Sequence, residues 1–491
     1  MSDFTAATGG KDDLPEGQSL LRRSVIAAPL LEQDRHEMGE AIHVVIELNH
    51  QFRGGVDDSW NRLQEVCKQL GAASLHRISE DYATGNLPLQ TVEQLVSQDQ
   101  SPDSGQGFAV HRVWPDFPIQ PLINESVRTV KVDAARRSFA CYGDRVVWAV
   151  IDSGISEIHP HFATYKNLLG EVYELHRDFT SGQSGPLVDE KGHGTHVAGI
   201  IAGGLPHNWK DQGEHSPHIF QESPDETGRG TRQLEQSIVD SSALSGMAPH
   251  AKLVSLKVIE PGAASEDRVS RLIEALAYVR RVNAGGRSVR IHGVNISLGY
   301  EFDPCWCACG HSPICKEVDK VVRSGVVVVV AAGNTGYGGL SAKERHTDAA
   351  LQMTVNDPGN AERAFTVGST HREQPYTYGV SYFSSKGPTG DGRFKPDVVA
   401  PGERIVSCAA GQLRPVDFPD TCAVYVEQTG TSMAAPHVSG AIAAFLSSRR
   451  EFIGEPERVK AIFMGAATTL GRSRYFEGSG LLDLLRSMQS V

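Results

Sequence analysis

The sequence contains no run of about 18 apolar residues, so no transmembrane helix is expected. Its first residues, Met1–Gly17, are polar and acidic, without an apolar stretch behind a basic start. No targeting segment is therefore expected, and the expected location is cytoplasmic, with export by another route left open. Basic residues are in deficit. There are 47 Lys and Arg against 59 Asp and Glu, a formal net charge of −12. That balance argues against nucleic acid or an anionic membrane as a partner. Disulfides are unusual in a reducing compartment. Yet eight cysteines are present, and four crowd into Cys305–Cys315, so the cysteine count and the expected lack of a targeting signal pull in opposite directions.

What is present is ordinary globular material. At 491 residues, 40% hydrophobic and 22% charged, the chain is long enough for a large core and at least one further domain. Fifty glycines suit a fold with many tight turns. Residues 1–40 read as a polar leader, partly disordered. Residues 41–123 read as a small α+β domain. Ile42–Leu48 is its first strand, Trp60–Leu70 has helical apolar spacing, Leu89–Val96 is a short second helix, and Phe108–Trp114 alternates into another strand. Pro115, Pro118 and Pro121 end that strand in an extended tail.

From residue 127 to about 487 apolar runs alternate with amphipathic stretches. Arg145–Asp152, Lys252–Ile259, Val294–Gly299 and Val326–Asn334 read as strands buried on both faces. Asp267–Val282 reads as a helix between them, and Pro456–Leu470 and Gly478–Leu485 read as closing helices. Repeated strand and helix predicts an α/β fold with a doubly wound, mostly parallel sheet flanked by helices. Asp152 ends the first of these strands, where open α/β sheets place their chemistry, although a plain Asx turn also uses an Asp there. Asn334 ends the most strand-like run, and a turn-forming Asn before Thr335-Gly336 is its ordinary alternative.

The stretch Thr429–Phe445 reads as a tight turn feeding a helix of small residues. Ser432 falls at the helix N-terminus, where outward N–H groups and the dipole favour an oxyanion-forming nucleophile. Pro436 is expected in the first turn, where a missing N–H costs little. Ala434, Ala435, Gly440 and Ala441 keep the helix slim enough to cross a crowded core. Upstream, Gly192-His193-Gly194-Thr195-His196-Val197-Ala198-Gly199 reads as a second small-residue helix. A zinc reading of His193 and His196 fails on ligand number and on the lack of an adjacent Glu.

Gly430-Thr431-Ser432-Met433-Ala434-Ala435-Pro436-His437 resembles the nucleophile motif of the subtilisin-like serine peptidases, the subtilases. The segments around Asp152 and His193 resemble the other two motifs of that family, in the same order, and the resemblance runs from about Asp144 to about Leu482. The order Asp…His…Ser is that of subtilisin itself. The α/β-hydrolase alternative expects a Gly-x-Ser-x-Gly elbow and the order Ser…Asp…His, and neither occurs at Ser432.

The resemblance implies a subtilisin-like fold and a serine endopeptidase. Ser432 would attack the peptide carbonyl, His193 would act as general base, and Asp152 would hold its tautomer. Asn334 would be the side-chain donor of the oxyanion hole. Ser297, Leu298 and Gly299 would pair with an extended protein or peptide substrate. Ala331, Ala332 and Gly333 would wall the pocket for the residue before the scissile bond, with Asn356 and the Asp357-Pro358-Gly359 turn at its base. His196 would be structural.

No cofactor is expected for the chemistry and no metal ligand is assigned, with structural calcium left open. Residues 204–245, with His207, Asp211, His215, His218, Asp225 and Glu226, are longer than the family's usual loop and read as a surface insertion. The Cys305–Cys315 cluster is left between thiols, a disulfide such as Cys309–Cys315, and a metal. Cys408 and Cys422 flank a hairpin, with a disulfide between them left open. The 41–123 domain resembles the subtilase propeptide domain, which implies an intramolecular chaperone or inhibitor and a cut near Ile123–Glu125. An unrelated regulatory domain is the other reading. A latent serine endopeptidase is thus expected, and a catalytically silent, protease-like binding scaffold is the alternative.

Overall fold

A computed structural model describes residues 25–26, 41–71, 75–99, 108–115, 124–180, 182, 184–210, 216–224, 231–237, 241–260, 269–300, 309–342, 345–419 and 421–491. The chain divides into two units, Met1–Pro121 and Leu122–Val491.

In the first unit, strands β1 (Ala41–Leu48), β2 (His76–Arg77), β3 (Tyr82–Pro88) and β4 (Val110–Pro115) form one sheet. Their order is β2-β3-β1-β4, antiparallel throughout. The alternation of β1 buries Val44, Ile46 and Leu48 on one face. Helices α1 (Val56–Gln69) and α2 (Leu89–Asp99) supply Leu63, Val66, Val92 and Leu95 to the same core. Asp99 Oδ1 and Oδ2 accept from the Ala109 and Val110 N–H groups, which ties the end of α2 to the start of β4. Sequence reading passes over β3, because its Thr84-Gly85-Asn86 core looks like a turn. Pairing with β1 overrides that local preference.

In the second unit a seven-stranded sheet lies at the centre. Its members are β5 (Val147–Asp152), β6 (Arg177–Asp178), β9 (Lys252–Lys257), β10 (Gly293–Ile296), β11 (Val327–Ala331), β14 (Phe365–His371) and β15 (Val398–Glu403). The order is β15-β14-β11-β10-β5-β9-β6, all parallel. Helices α3 (His193–Ile201), α4 (Val269–Val282), α5 (Pro313–Arg323) and α6 (Thr431–Ser448) flank it. From β5 the chain builds β6 and β9 on one side, then returns to β10 and builds outward on the other. The crevice at the carboxyl ends of β5 and β10 is therefore a topological switch point. This is the doubly wound, parallel α/β fold expected from the alternation of strands and helices.

Helix α6 threads the core. Every residue from Met433 to Leu446 is buried. Its slimness is a requirement, since a Cβ at Gly440 would lie 2.4 Å from Met247 Cβ and 3.0 Å from Ile201 O.

Four local expectations change. Pro436 is the sixth residue of α6 and so lies in its second turn, not its first. The strand at 294–299 stops at Ile296, and residues 297–299 run on outside the sheet ladder. Helix α5 begins at Pro313, capped by Ser312 Oγ, which accepts from Cys315 N–H; Cys315 thus belongs to a helix rather than to a cysteine loop. Residues 478–482 are not helical, and Leu481 bridges Val399 and Thr468 instead.

Residues 204–245 are more than a surface loop. They carry β7 (His218–Pro224) and β8 (Thr231–Ser237), an antiparallel pair. Strand β7 also runs parallel to β17 (Val424–Gln428), which pairs with β16 (Ile405–Cys408). Phe220, Ala409, Cys422 and Val424 form a small core there. The docking partner of β7 lies some 200 residues away along the chain, so nothing local announces it. Of the polar residues noted in this stretch, Asp211, His215, Asp225 and Glu226 lie outside the described residues, as do Cys305, Cys307 and Ile123. Cys315 and Cys408 are free thiols.

Candidate active site

The switch point opens as a cleft of about 560 Å³. Its lining includes His193, Ser297, Leu298, Gly299, Ala331, Gly333, Asn334, Asn356 and Ser432. Ala332 is fully buried, its N–H bonded to Val367 O, and does not line the cleft.

Asp152 ends β5 fully buried, and its Oδ1 lies 2.7 Å from His193 Nδ1. A carboxylate only accepts, so Nδ1 carries the proton and Nε2 is left as the basic nitrogen. Burial lowers the His193 pKa and the Lys191 charge lowers it further, but the Asp152 charge, its hydrogen bond and the Asp189 charge outweigh them. The net effect is a pKa above the ordinary histidine value.

Asp189, which sequence reading does not single out, organises this corner. Gly192, the N-cap of α3, has no side chain to cap the helix. Asp189 does the capping from three residues upstream. Its Oδ1 accepts from Gly192 N–H and Ser153 Oγ, each at 2.8 Å. Its Oδ2 accepts from Thr195 N–H at 2.8 Å and Thr195 Oγ1 at 2.7 Å. Burial pushes its carboxyl pKa up against the pull of these four bonds. Ser153 in turn accepts from Gly194 N–H, which stitches β5 to α3. His196 points away from the cleft; it is buried, with Nε2 3.0 Å from Val426 O.

Asn334 Oδ1 faces two donors, Thr431 N–H at 2.9 Å and Thr431 Oγ1 at 3.0 Å. Both must donate, so the carboxamide oxygen is committed and its Nδ2 group is turned the other way. Gly333 packs under Asn356. A Cβ there would lie 2.7 Å from the Asn356 carboxamide, and its φ of +107° already favours glycine. Thr335 Oγ1 holds Asn356 Oδ1 at 3.1 Å and Thr354 O at 2.9 Å.

Ser432 sits in the first turn of α6. Thr431 N–H is taken by Asn334 and Met433 N–H by Gly430 O. The Ser432 N–H is thus the first-turn amide that neither bond uses. Its hydroxyl donates to Ser297 O at 2.9 Å. Among the described residues no hydrogen bond joins it to His193. The structure therefore brings Asp152 and His193 together, and gathers Ser432 and Asn334 on the same cleft with the serine hydroxyl turned to Ser297. Such contacts tighten when a substrate fills the site. Among the described residues no group of three or more His, Cys, Asp or Glu is arranged to hold a metal ion.

The class defined here is an α/β protein whose parallel sheet opens, at its switch point, onto a cleft lined by a serine and by the histidine of an Asp–His pair. A sequence model of the subtilase family matches residues 143–480, and the chain belongs to that family. Pyrolysin of Pyrococcus furiosus is 28% identical over 341 residues, covering 61% of this chain and 21% of pyrolysin. Subtilisin E of Bacillus subtilis is 28% identical over 347 residues, covering 71% of this chain and 66% of the relative. Serine protease AprX of Bacillus subtilis is 26% identical over 365 residues, covering 72% of this chain and 68% of the relative. The chain thus spans about a fifth of pyrolysin and just under two thirds of subtilisin E.

Proposed function

We propose that this chain is a serine endopeptidase acting on protein or peptide substrates through an acyl-enzyme. One observation carries the reading: the Asp152–His193 hydrogen bond opens onto the same cleft as Ser432 and Asn334. Membership of the subtilase family supports it, as does a relative named serine protease.

In this reading the Ser432 hydroxyl swings from Ser297 O to His193 Nε2. Oγ attacks the carbonyl carbon while Nε2 takes its proton. Asp152 stabilises the imidazolium through Nδ1–H. The oxyanion is met by Asn334 Nδ2 and Ser432 N–H, donors already held in place before charge develops. His193 then returns the proton to the leaving amine, and water repeats the sequence on the acyl-enzyme.

The N-terminal unit is proposed as the intramolecular inhibitor or chaperone, released by a cut near Ile123–Glu125. Its separate core and its place ahead of the catalytic unit support this. The Ser432 hydroxyl turned to Ser297 favours one competitor, a silent scaffold.

Intact-mass spectrometry with a fluorophosphonate separates these readings. A labelled wild type and an unlabelled Ser432→Ala establish the nucleophile. Loss of residues up to about 123–125 in wild type alone establishes self-processing, while a labelled chain that still starts at residue 1 or 2 rejects it. No label on either protein means that the site is blocked or dead and favours the scaffold.

A further inference from the structure

The carbonyl of Ser432 lacks its helical partner. In an α-helix the N–H four residues on would bond to it, and that residue is Pro436, which has none. A carbonyl left alone at the buried start of α6 would be costly. The gap is filled from outside the helix. Ser297 Oγ lies 2.9 Å from Ser432 O.

That contact belongs to a chain whose polarity is determined throughout. Ser432 O can only accept, so Ser297 Oγ donates to it. Ser297 Oγ then accepts from Asn295 Nδ2 at 2.9 Å. Asn295 Oδ1 is left to accept from Ser439 Oγ at 2.8 Å. Ser439 lies on α6 seven residues after Ser432, about two turns along, so it returns to the same face. The chain runs from the helix to β10 and back to the start of the helix. Ser297 is 3% exposed, and Asn295 and Ser439 are fully buried.

We propose that Ser439, Asn295 and Ser297 are positioning residues that hold the Ser432 peptide against the reacting carbonyl. The proposal rests on Ser432 being the nucleophile. The three side chains act through the Ser432 peptide, without touching the substrate. They matter because Ser432 supplies both the attacking Oγ and an oxyanion N–H. A shift of its peptide moves both at once, and about 1 Å of misplacement can cost about 10²-fold in rate. Pro436 is part of the arrangement, since it keeps Ser432 O open to the Ser297 hydroxyl. In its absence the helix itself would supply a donor.

That last point gives the test. Labelling rate by a fluorophosphonate, with kcat and KM on a peptide substrate, is measured for full-length wild type, Ser297→Ala, Pro436→Ala and the double variant. Ser297→Ala should lose about tenfold in labelling rate and kcat, with KM changed less than about twofold. Pro436→Ala restores an N–H four residues from Ser432, so the double variant should recover most of the loss. Recovery larger than the effect of Pro436→Ala on wild type supports the proposal. A Ser297→Ala protein that labels at the wild-type rate overturns it, as does a double variant no faster than Ser297→Ala. Should Ser297→Ala not fold, Ser439→Ala is the second variant: labelling about threefold slower supports the chain, and an unchanged rate overturns it. A wild type that takes no label removes the nucleophile reading itself, a failure distinct from the other two.

Discussion

Asn334 accepts two hydrogen bonds on one oxygen, both from Thr431, the residue before the candidate nucleophile. Thr431 Oγ1 also accepts from Gly333 N–H at 3.2 Å. The end of β11 and the start of α6 are thus clamped together at the point where both contribute a donor to the cleft. The Asn334 carboxamide, the proposed oxyanion donor, is therefore not a freely rotating side chain.

Asn334→Ala should therefore lower kcat by about 10²–10³-fold with little change in KM, because its donor acts on charge that develops only in the transition state. Thr431→Val keeps the N–H clamp and loses the hydroxyl one, so a smaller loss, about tenfold, is expected. Steady-state kinetics on a peptide substrate reads both. Equal losses in the two variants would mean that Asn334 is only a structural turn residue.

The raised pKa of His193 sets the pH profile. A general base works unprotonated, so kcat/KM should rise with pH through a midpoint above the ordinary histidine value of about 6.5. Asp152→Asn removes the negative charge that does most to raise it and inverts the tautomer constraint. The acid limb should move to lower pH and kcat should fall by about 10⁴-fold. A profile whose limb is unmoved by that substitution would take the charge of Asp152 out of the explanation.

Asp189→Asn tests the capping carboxylate. Four donors converge on two acceptor oxygens, and an Asn can face only half of them with a lone pair. Each buried donor left unmatched costs about 1–3 kcal/mol, so with two unmatched the stability should drop by roughly 2–6 kcal/mol. Since the Asp189 charge also raises His193, the acid limb should shift down as well. Denaturant unfolding and the pH profile are the two readouts. A loss of stability with no movement of the limb would leave Asp189 a helix cap and nothing more.

The parts legible in the sequence are those governed by local pattern. Continuous apolar runs mark β5, β9 and β11, and resemblance to the subtilase motifs marks Asp152, His193, Asn334 and Ser432 without knowledge of any contact. Sequence reading fails where the partner is remote. Strand β7 pairs with β17, and β3 looks like a turn until β1 is beside it. Asp189, Thr431, Asn295 and Ser439 are ordinary polar residues in sequence. They acquire meaning only through the hydrogen bonds that converge on the cleft from different elements. The direction of the Ser432 hydroxyl is a rotamer, and no pattern of residues encodes it.

Acid stability follows from four buried histidines outside the reaction. His159 and His196 are pushed down to about 3, and His161 and His437 to about 4, each chiefly by burial. Their nitrogens are held neutral against carbonyls and the Tyr425 hydroxyl. In the unfolded chain each protonates near 6.5. Between that value and the folded pKa the unfolded state binds more protons, so stability falls as pH falls. By pH 5 the loss is roughly 2 kcal/mol per histidine, and four of them approach the total stability of a typical domain. His193 works in the opposite sense. Its raised pKa contributes stability that is full below 6.5 and is lost as pH rises through the folded value. Urea unfolding of Ser432→Ala, used to prevent self-digestion, should show the free energy dropping steeply from pH 6.5 to 5. A flat free energy across that range would mean these histidines titrate alike in both states, and that water reaches the buried pockets around Tyr425 and α6.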